Sequence, residues 1–493
     1  LRGSCNEPPM HGAWDGMSKQ LGHRNVFARA QLQPVRHNVL MRMTRNVGRA
    51  ATALGLAMIA ACSAGDERAS NAATSADLPV EASASALGAF KPALDKSKPD
   101  ADSGVFGRIE THEGMQVVRL WGTAKERGYA HGYLLADEIC EIMSQEFAAR
   151  FAGMPAMLGQ ARAALPRLIE YPEEIEAELD ALWQGVLARD PKREMPMLQR
   201  EFDKTDLLIA NALDVFGLMG CSSFTVWGDQ AVGGGVLTAR NFDWPLTGDH
   251  MLDHTLLIVQ MPKDKVASAS ISWPGYVGAV TGISGDGVAA YLHVGNAKPS
   301  LPQPSSWPSA IAARKILEQP GEGPARLEKA REFLEYTSPP VGFLTHVVLP
   351  RVSPAGPPVA LFETNVEGPV VADPPDGPMV VTNHFQSRKD GREASGDSTG
   401  REDEVREGLA GCMDVGDRSV DPAEAWQILA SVERGGGHHF GTLHSLVFRH
   451  EPWHFEMRVA DHEESGLVAA PSSSRRYRLT REQVFGEADK ASK

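Results

Sequence analysis

One cysteine stands where chemistry is easiest to imagine. Gly220-Cys221 opens the run GCSSFTVWGDQAVGGGVLTARNFDW, and that run closes on Arg240-Asn241-Phe242-Asp243. Two apolar stretches around a Gly-rich turn predict a β-hairpin, so the start of its first strand and the end of its second lie side by side. Cys221, Arg240 and Asp243 therefore converge at one sheet end. A guanidinium near a thiol favours the thiolate, and a carboxylate can orient an amine or accept a proton. The trio contains no histidine of the kind a thiol–imidazole pair requires, so the base has to come from elsewhere.

Other reactive residue types fall into blander settings. Cys140 lies on a helix-like stretch among apolar neighbours and reads as a buried structural thiol, and no CxxC offers a zinc site. His438, His439 and His444 follow a Gly-rich loop in an HH-x4-H spacing unlike the helical H-E-x-x-H pattern, which makes a metallohydrolase a minor alternative. Gly282, Gly285 and Gly287 form G-x-x-G-x-G, which is not the dinucleotide fingerprint and predicts a hairpin turn. No metal and no cofactor are expected. The helix around Glu126, Arg127 and His131 is expected to keep its charges on a solvated face.

The elements that position these residues follow from patterning. The chain has 493 residues, 42% of them hydrophobic and 23% charged, with a net charge of −14. This is globular composition, and the acidic balance without a basic face excludes a nucleic-acid partner. VVRLWG reads as a strand, residues 124–219 as helices interrupted at Pro172, and FTVW, VLTARNF, HTLLIVQM, ASISW, AAYLHV, VALFET and MVVTNHF as strands. Residues 399–434 return to helix, and TLHSLVF with HFEMRVA makes a closing hairpin. Sheets packed together and covered by helices, in one α+β catalytic domain spanning 106–493, are the expected architecture.

Ahead of that body, residues 41–62 (MRMTRNVGRAATALGLAMIAAC) place Arg42, Arg45 and Arg49 before a short apolar run that ends in small residues and a cysteine. That is the order of a secretory leader. Ile59-Ala60-Ala61-Cys62 resembles the bacterial lipobox, with Cys62 as the lipidated residue of an exported protein on the periplasmic side of the outer membrane or on the cell surface. Membrane contact would then be limited to the anchor. Residues 1–40 read as upstream translation, 41–61 as the leader and 62–105 as a flexible stalk.

The hairpin sequence resembles the N-terminal-nucleophile hydrolases of the autoproteolytic acyltransferase and hydrolase group, which includes isopenicillin N acyltransferase and, more distantly, penicillin V acylases, bile salt hydrolases and acid ceramidase. RLWGTAKERGYAHGYLLADEI at 119–139, PGYVGAVTGISGDGVAAYL at 274–292 and VTNHF at 381–385 agree with it in order. The resemblance implies a four-layer αββα sandwich of two antiparallel sheets flanked by helices. It also implies a precursor cut between Gly220 and Cys221 into an α chain, 62–220, and a β chain, 221–493, that stay associated. Gly220 would tolerate a strained backbone and leave the carbonyl unobstructed. Once terminal, Cys221 would be the nucleophile, and its own α-amine, with a reference pKa of about 7.7–8.0, the base.

The other implied roles follow by position. Arg240 lies beside the sulfur, Asp243 binds the α-amine, and Asn383 forms the oxyanion hole. His293 or Asn296 corresponds to a further asparagine, and Arg401 to a later arginine. The implied reaction is acyl transfer from a small N-acyl amide to water or an amine through a thioester. An ester or phospholipid-type substrate, and a non-catalytic binding lipoprotein, are the alternatives.

Overall fold

The change of texture at Gly220 is a change of architecture. The computed structural model describes residues 97–486 apart from 152–154, 213–218, 245–249, 301–302, 305, 374–376, 415–417, 435–440, 463–467 and 470. The leader, Cys62, most of the stalk, His438 and His439 lie outside the described residues. Residues 97–105 are tied to the body: Lys98 accepts a hydrogen bond from the Trp121 indole at 2.7 Å, and Asp100 caps the turn leading to Gly107.

Two sheets form the centre. In chain order their strands are β1 Gly107–His112, β2 Met115–Gly122, β3 Gly220–Trp227, β4 Val236–Trp244, β5 Leu256–Pro262, β6 Ser268–Ser272, β7 Thr281–Ser284, β8 Ala289–Val294, β9 Phe343–Val348, β10 Val359–Asn365, β11 Gly368–Val371, β12 Met379–Val381, β13 Gly441–Arg449, β14 His454–Val459 and β15 Arg476–Arg478. One sheet has nine strands ordered β1-β2-β5-β6-β7-β8-β9-β10-β11, and the other has six ordered β12-β3-β4-β13-β14-β15. Neighbours pair antiparallel except β2 and β5, which run parallel with Val117 opposite Leu257, because the chain between them passes through the helices and the β3–β4 hairpin.

The helices used here are α1 Ala124–Leu134, α2 Ala136–Phe151, α3 Glu173–Arg189, α4 Ser309–Glu318, α5 Gly323–Leu334, α6 Gly396–Asp414 and α7 Pro422–Ser431. Helices α4 and α5 cover the nine-stranded sheet, where Ala312, Ile316 and Leu334 meet Ala290, Val347 and Phe362. Helices α6 and α7 cover the six-stranded sheet, where Val405, Leu409 and Leu429 meet Phe224, Val226 and Ala239. A third core, with Cys221, Phe242, Tyr291 and Phe343, fills the space between the sheets. The result is the αββα sandwich. Among the described residues, no helix is long and apolar enough to cross a membrane.

Two regions depart from the expectations. The helical stretch breaks beyond Pro172: Asp190 accepts the backbone N–H groups of Lys192 and Arg193 at 3.1 and 3.0 Å and ends α3. A small ribbon, Glu194–Met195 with Arg200–Glu201, follows it. More consequentially, Arg127 and His131 are buried, not solvated. The cause is the closeness of α1 and α3. A Cβ on Gly128 would stand 2.0 Å from the Glu178 carbonyl oxygen, one on Gly132 1.9 Å from that of Leu182, and one on Gly185 2.2 Å from that of Tyr129. Only glycines permit this contact. It sinks Arg127 against Glu178 at 3.1 Å and Gln260 at 3.0 Å, while His131 accepts the Gly275 N–H at 2.9 Å.

Candidate active site

Strand alternation decides what surrounds Cys221. Phe224 and Val226 face α6 and α7, so Cys221, Ser223 and Thr225 face the other sheet, an unusual run of polar side chains between two β layers. In the β3–β4 register Cys221 opposes Phe242 and Ser223 opposes Arg240, which puts the arginine on the cysteine's face.

Arg240 is fully buried, and none of its hydrogen-bond partners is a carboxylate. Its Nη2 lies 3.1 Å from Cys221 Sγ and donates to the Leu292 carbonyl at 2.7 Å, and Nε donates to the Thr281 hydroxyl at 2.8 Å. Nη1 donates to His293 Nε2 at 3.0 Å. Because that nitrogen must accept, the His293 proton belongs on Nδ1. Ser223 Oγ lies 2.9 Å from both His293 Nε2 and His346 Nδ1; because Thr225 gives its proton to Thr238, the His346 proton belongs on Nε2, toward Thr225, and Ser223 donates to His346 Nδ1. Burial and then Arg240 hold both histidines neutral, His293 well below its ordinary pKa and His346 at about 3. Burial also pushes the Cys221 thiol up to about 11, against the opposing pull of Arg240. In the uncut chain the sulfur is a protonated thiol at neutral pH.

The backbone of Cys221 is held as firmly as its side chain. Strand β12 runs beside β3 with Val381 opposite Ser223, so Asn383, two residues on, reaches Cys221. Cys221 N–H donates to Asn383 Oδ1 at 2.9 Å. Arg401, on α6, donates through Nη2 to the same oxygen at 2.9 Å, and through Nη1 to the Cys221 carbonyl at 2.6 Å and the Ser222 hydroxyl at 2.7 Å. Two donors on Oδ1 fix the amide's orientation, and its Nδ2 donates to the Val294 carbonyl at 2.9 Å. Asp397 braces Arg401 at 3.0 Å, and Ser398 receives the Asn383 N–H at 2.8 Å.

Other candidates make different contacts. Asp243 opposes Gly220, one position out of phase with Cys221; its backbone bonds the Cys221 sulfur and its charge raises that thiol, while its carboxylate lies on the other face of the strand. There it accepts from Thr442 at 2.7 Å and sits 3.2 Å from Arg434 Nε. Asn296 spends its amide on loop backbone, donating to the Arg392 carbonyl at 2.6 Å and accepting the Phe385 N–H at 2.8 Å. His444 stacks on Phe242 with ring centroids 4.8 Å apart and bonds Thr281 at 2.9 Å. Gly220 lies in an extended strand in register with Asp243, where ladder pairing leaves no sign of a strained turn. Cys140 is buried, its thiol pushed up to about 12 by burial and then by Asp190.

Sequence reasoning missed Ser223, Thr281, His346, Asp397 and Ser398. Only Ser223 carried a local signal, since it stands two residues beyond Cys221 on the same face of the strand.

A crevice is walled by Met219, which precedes Gly220, by Phe242, which opposes Cys221, and by Trp244, Trp273, Tyr276 and Val280 among others. It is narrow, with about 40 Å³ open to a water-sized molecule, and it is almost wholly apolar.

No family model matches the chain. The Dictyostelium discoideum protein dcd1B is 29% identical over 182 residues, which are 34% of this chain and 36% of that protein, so the chain spans about a third of this curated relative. Among solved structures it is similar to a mutant conjugated bile acid hydrolase from Clostridium perfringens (11% identity, 54% of this chain and 99% of that one, TM-score 0.34). It is also similar to a Caenorhabditis elegans ortholog of N-acylethanolamine-hydrolyzing acid amidase (15%, 46% and 92%, TM-score 0.32). A third is the penicillin V acylase of Agrobacterium tumefaciens (15%, 48% and 83%, TM-score 0.32).

Proposed function

We propose that the chain is a self-processing amide hydrolase whose nucleophile is Cys221. The observation that carries this reading is a buried guanidinium, Arg240, with no carboxylate among its partners and the cysteine sulfur 3.1 Å from Nη2. A buried charge with no carboxylate hydrogen-bonded to it is costly, and such perturbed groups cluster at functional sites.

In the precursor the Cys221 thiol attacks the Gly220 carbonyl. The S–C bond forms, the Gly220–Cys221 C–N bond breaks, and the thiol proton passes to the departing amine. Water then opens the thioester, giving a Gly220 carboxylate and a free thiol beside a free α-amine. That amine takes the thiol proton in each later turnover. Asp243, across the ladder from Gly220, is the carboxylate nearest in register to the new terminus. An N-acyl amide bound with its acyl group in the apolar crevice is attacked by the sulfur. The leaving amine receives the proton, and water releases the acid. Asn383 Nδ2 serves the oxyanion by exchanging its bond to Val294 for one to the tetrahedral intermediate, while Arg401 keeps the other side of the amide in place. Water is the proposed acceptor, and an amine would make the same site an acyltransferase.

Mass spectrometry of purified protein tests the reading. Two fragments, the second beginning at Cys221, and turnover of N-acyl amides that Cys221→Ala abolishes together with the cut, are expected. Intact chains, or turnover surviving Cys221→Ala, would overturn it. Asn383→Ala should slow turnover by roughly 100- to 1000-fold. Export with lipid anchoring at Cys62 belongs to the same proposal on the leader pattern alone, and release of Cys62→Ser from the membrane fraction tests it.

A further inference from the structure

Asn383 meets the reacting residue through its amide, and what holds Asn383 itself comes from α6. Ser398, Arg401, Glu402, Val405 and Leu409 follow one face of that helix at three- and four-residue spacing. Val405 and Leu409 pack on the six-stranded sheet, whereas the first three are polar and all grip two consecutive residues, Asn383 and His384. Arg401 holds the Asn383 side chain from Oδ1, and Ser398, 1% exposed, accepts the Asn383 N–H at 2.8 Å. His384 stands behind that hydroxyl, with Nδ1 2.9 Å from Ser398 Oγ and 3.2 Å from Thr382 Oγ1, and the two hydroxyls are 3.0 Å apart. Its Nε2 lies 3.0 Å from Glu402 Oε2, in a pair whose side chains are 13% and 15% exposed. Arg406 takes the other carboxylate oxygen at 2.6 Å. Burial works against the Glu402 charge, yet His384 and Arg406 prevail and hold the carboxyl below its ordinary pKa.

We propose that His384 is a positioning residue of the oxyanion hole, acting on Asn383 through Ser398. The inference rests on Asn383 being the oxyanion donor of the proposed hydrolase. An ionised carboxylate only accepts, so the His384 proton belongs on Nε2, toward Glu402, and Nδ1 of the neutral ring accepts a hydroxyl proton. That proton comes from Ser398 directly, or from Thr382 with Ser398 donating to Thr382. In both arrangements the Ser398 proton turns away from Asn383, and a lone pair of its oxygen meets the Asn383 N–H. Backbone and side chain of Asn383 are thereby fixed from one helix, and Nδ2 is the group that exchanges Val294 for the developing charge. An oxyanion donor acts only where it is held, and a misplacement of about 1 Å can slow a reaction about 100-fold.

Steady-state kinetics on N-acyl amides test this, with the cut fraction counted by mass spectrometry so that kcat refers to active sites. His384→Ala is expected to lower kcat by roughly 10- to 100-fold and to leave KM within about twofold, because the group it displaces acts on the transition state. The same substitution added to Asn383→Ala should change kcat by less than about twofold, since the group it positions is already gone. A merely structural histidine would lower the rate equally in both backgrounds. In any variant that cuts slowly, the rate of self-cleavage is read the same way. His384→Asn, whose amide oxygen can accept in place of Nδ1, should recover most of the rate, and His384→Gln, which reaches Glu402 but not Ser398, should not. That pair decides the outcome should the alanine variant fail to fold. An unchanged kcat in His384→Ala, equal losses with and without Asn383, or better recovery by glutamine than by asparagine would each overturn the proposal. With Asn383→Ala slow, those results remove only the role of His384. Asn383→Ala at the wild-type rate, or a wild type that turns over no N-acyl amide, removes the reading and the proposal together.

Discussion

Arg314 and Arg240 are both buried and are surrounded in opposite ways. Arg314 grips both oxygens of Glu178 at 2.7 and 2.8 Å and Glu318 at 2.7 Å, and Arg127 adds a further cation 3.1 Å from Glu178. Burial works against the charge of Arg314, yet the two glutamates prevail and its pKa rises. Arg240 has a thiol, a hydroxyl, a carbonyl and a neutral imidazole, and burial drives its pKa down. A buried charge is therefore no sign of chemistry by itself. What distinguishes the Cys221 region is a guanidinium with no carboxylate hydrogen-bonded to it, the charge that the proposed reaction would use.

The comparison can be broken most easily at Arg314. Arg314→Met strips Glu178 of its bidentate partner and should lower stability by roughly 3–5 kcal/mol, read as a fall in the denaturation midpoint, with the Gly220–Cys221 cut still made wherever the variant is folded. An unchanged midpoint would place the two arginines in one class. Arg240→Met should do the reverse: self-cleavage and turnover slowed by roughly 100- to 1000-fold, and a midpoint unchanged or raised because an unanswered charge is gone. Loss of stability with normal rates would sink that assignment.

A smaller effect comes from one neutral histidine in each region. Burial lowers His131, beside Glu178 and Arg314, to about 4, and burial and Arg240 lower His346 to about 3. The unfolded chain takes up these protons near pH 6.5 and the folded chain does not. Their contribution is thus complete above pH 6.5 and is lost as pH falls from there toward 4 and 3, on the order of 3 kcal/mol for His131. His131→Gln, which keeps an acceptor for the Gly275 N–H, should flatten the acid limb of a stability–pH curve. An identical limb would show that the proton goes elsewhere.

How much of this was legible depended on whether a residue's surroundings are set by local period. The hairpin and its period of two bring Arg240 to Cys221, and the same period sets the Asp243 carboxylate on the other face while its backbone meets the sulfur, a one-residue phase that convergence in sequence does not reveal. Asn383 and Arg401 arrive from elements far along the chain, so the resemblance, not spacing, pointed to them. Asn296 was offered beside His293, but the fold uses it to pin a loop and leaves His293 to hold Arg240. The burial of Arg127 and His131 was hidden because charged residues on a helix ordinarily mean solvent. The clue was the pair Gly128 and Gly132 on one face, with Gly185 answering from α3. Two-sided covering of the sheets was readable from the order of helices and strands, but the parallel neighbour was not, since it joins strands from opposite sides of Gly220.

That parallel pairing carries a mechanical consequence. β2 precedes Gly220 and β5 follows it, and the two share a ladder from Val117 and Leu257 to Gly122 and Pro262. A molecule severed after Gly220 would keep both pieces stitched into one sheet, so scission alone would not release either. Once melted, however, the pieces would have to find each other again, and recovery would turn from a first-order into a second-order process. Dilution would then slow the renaturation of the cut protein and leave that of an uncuttable one untouched.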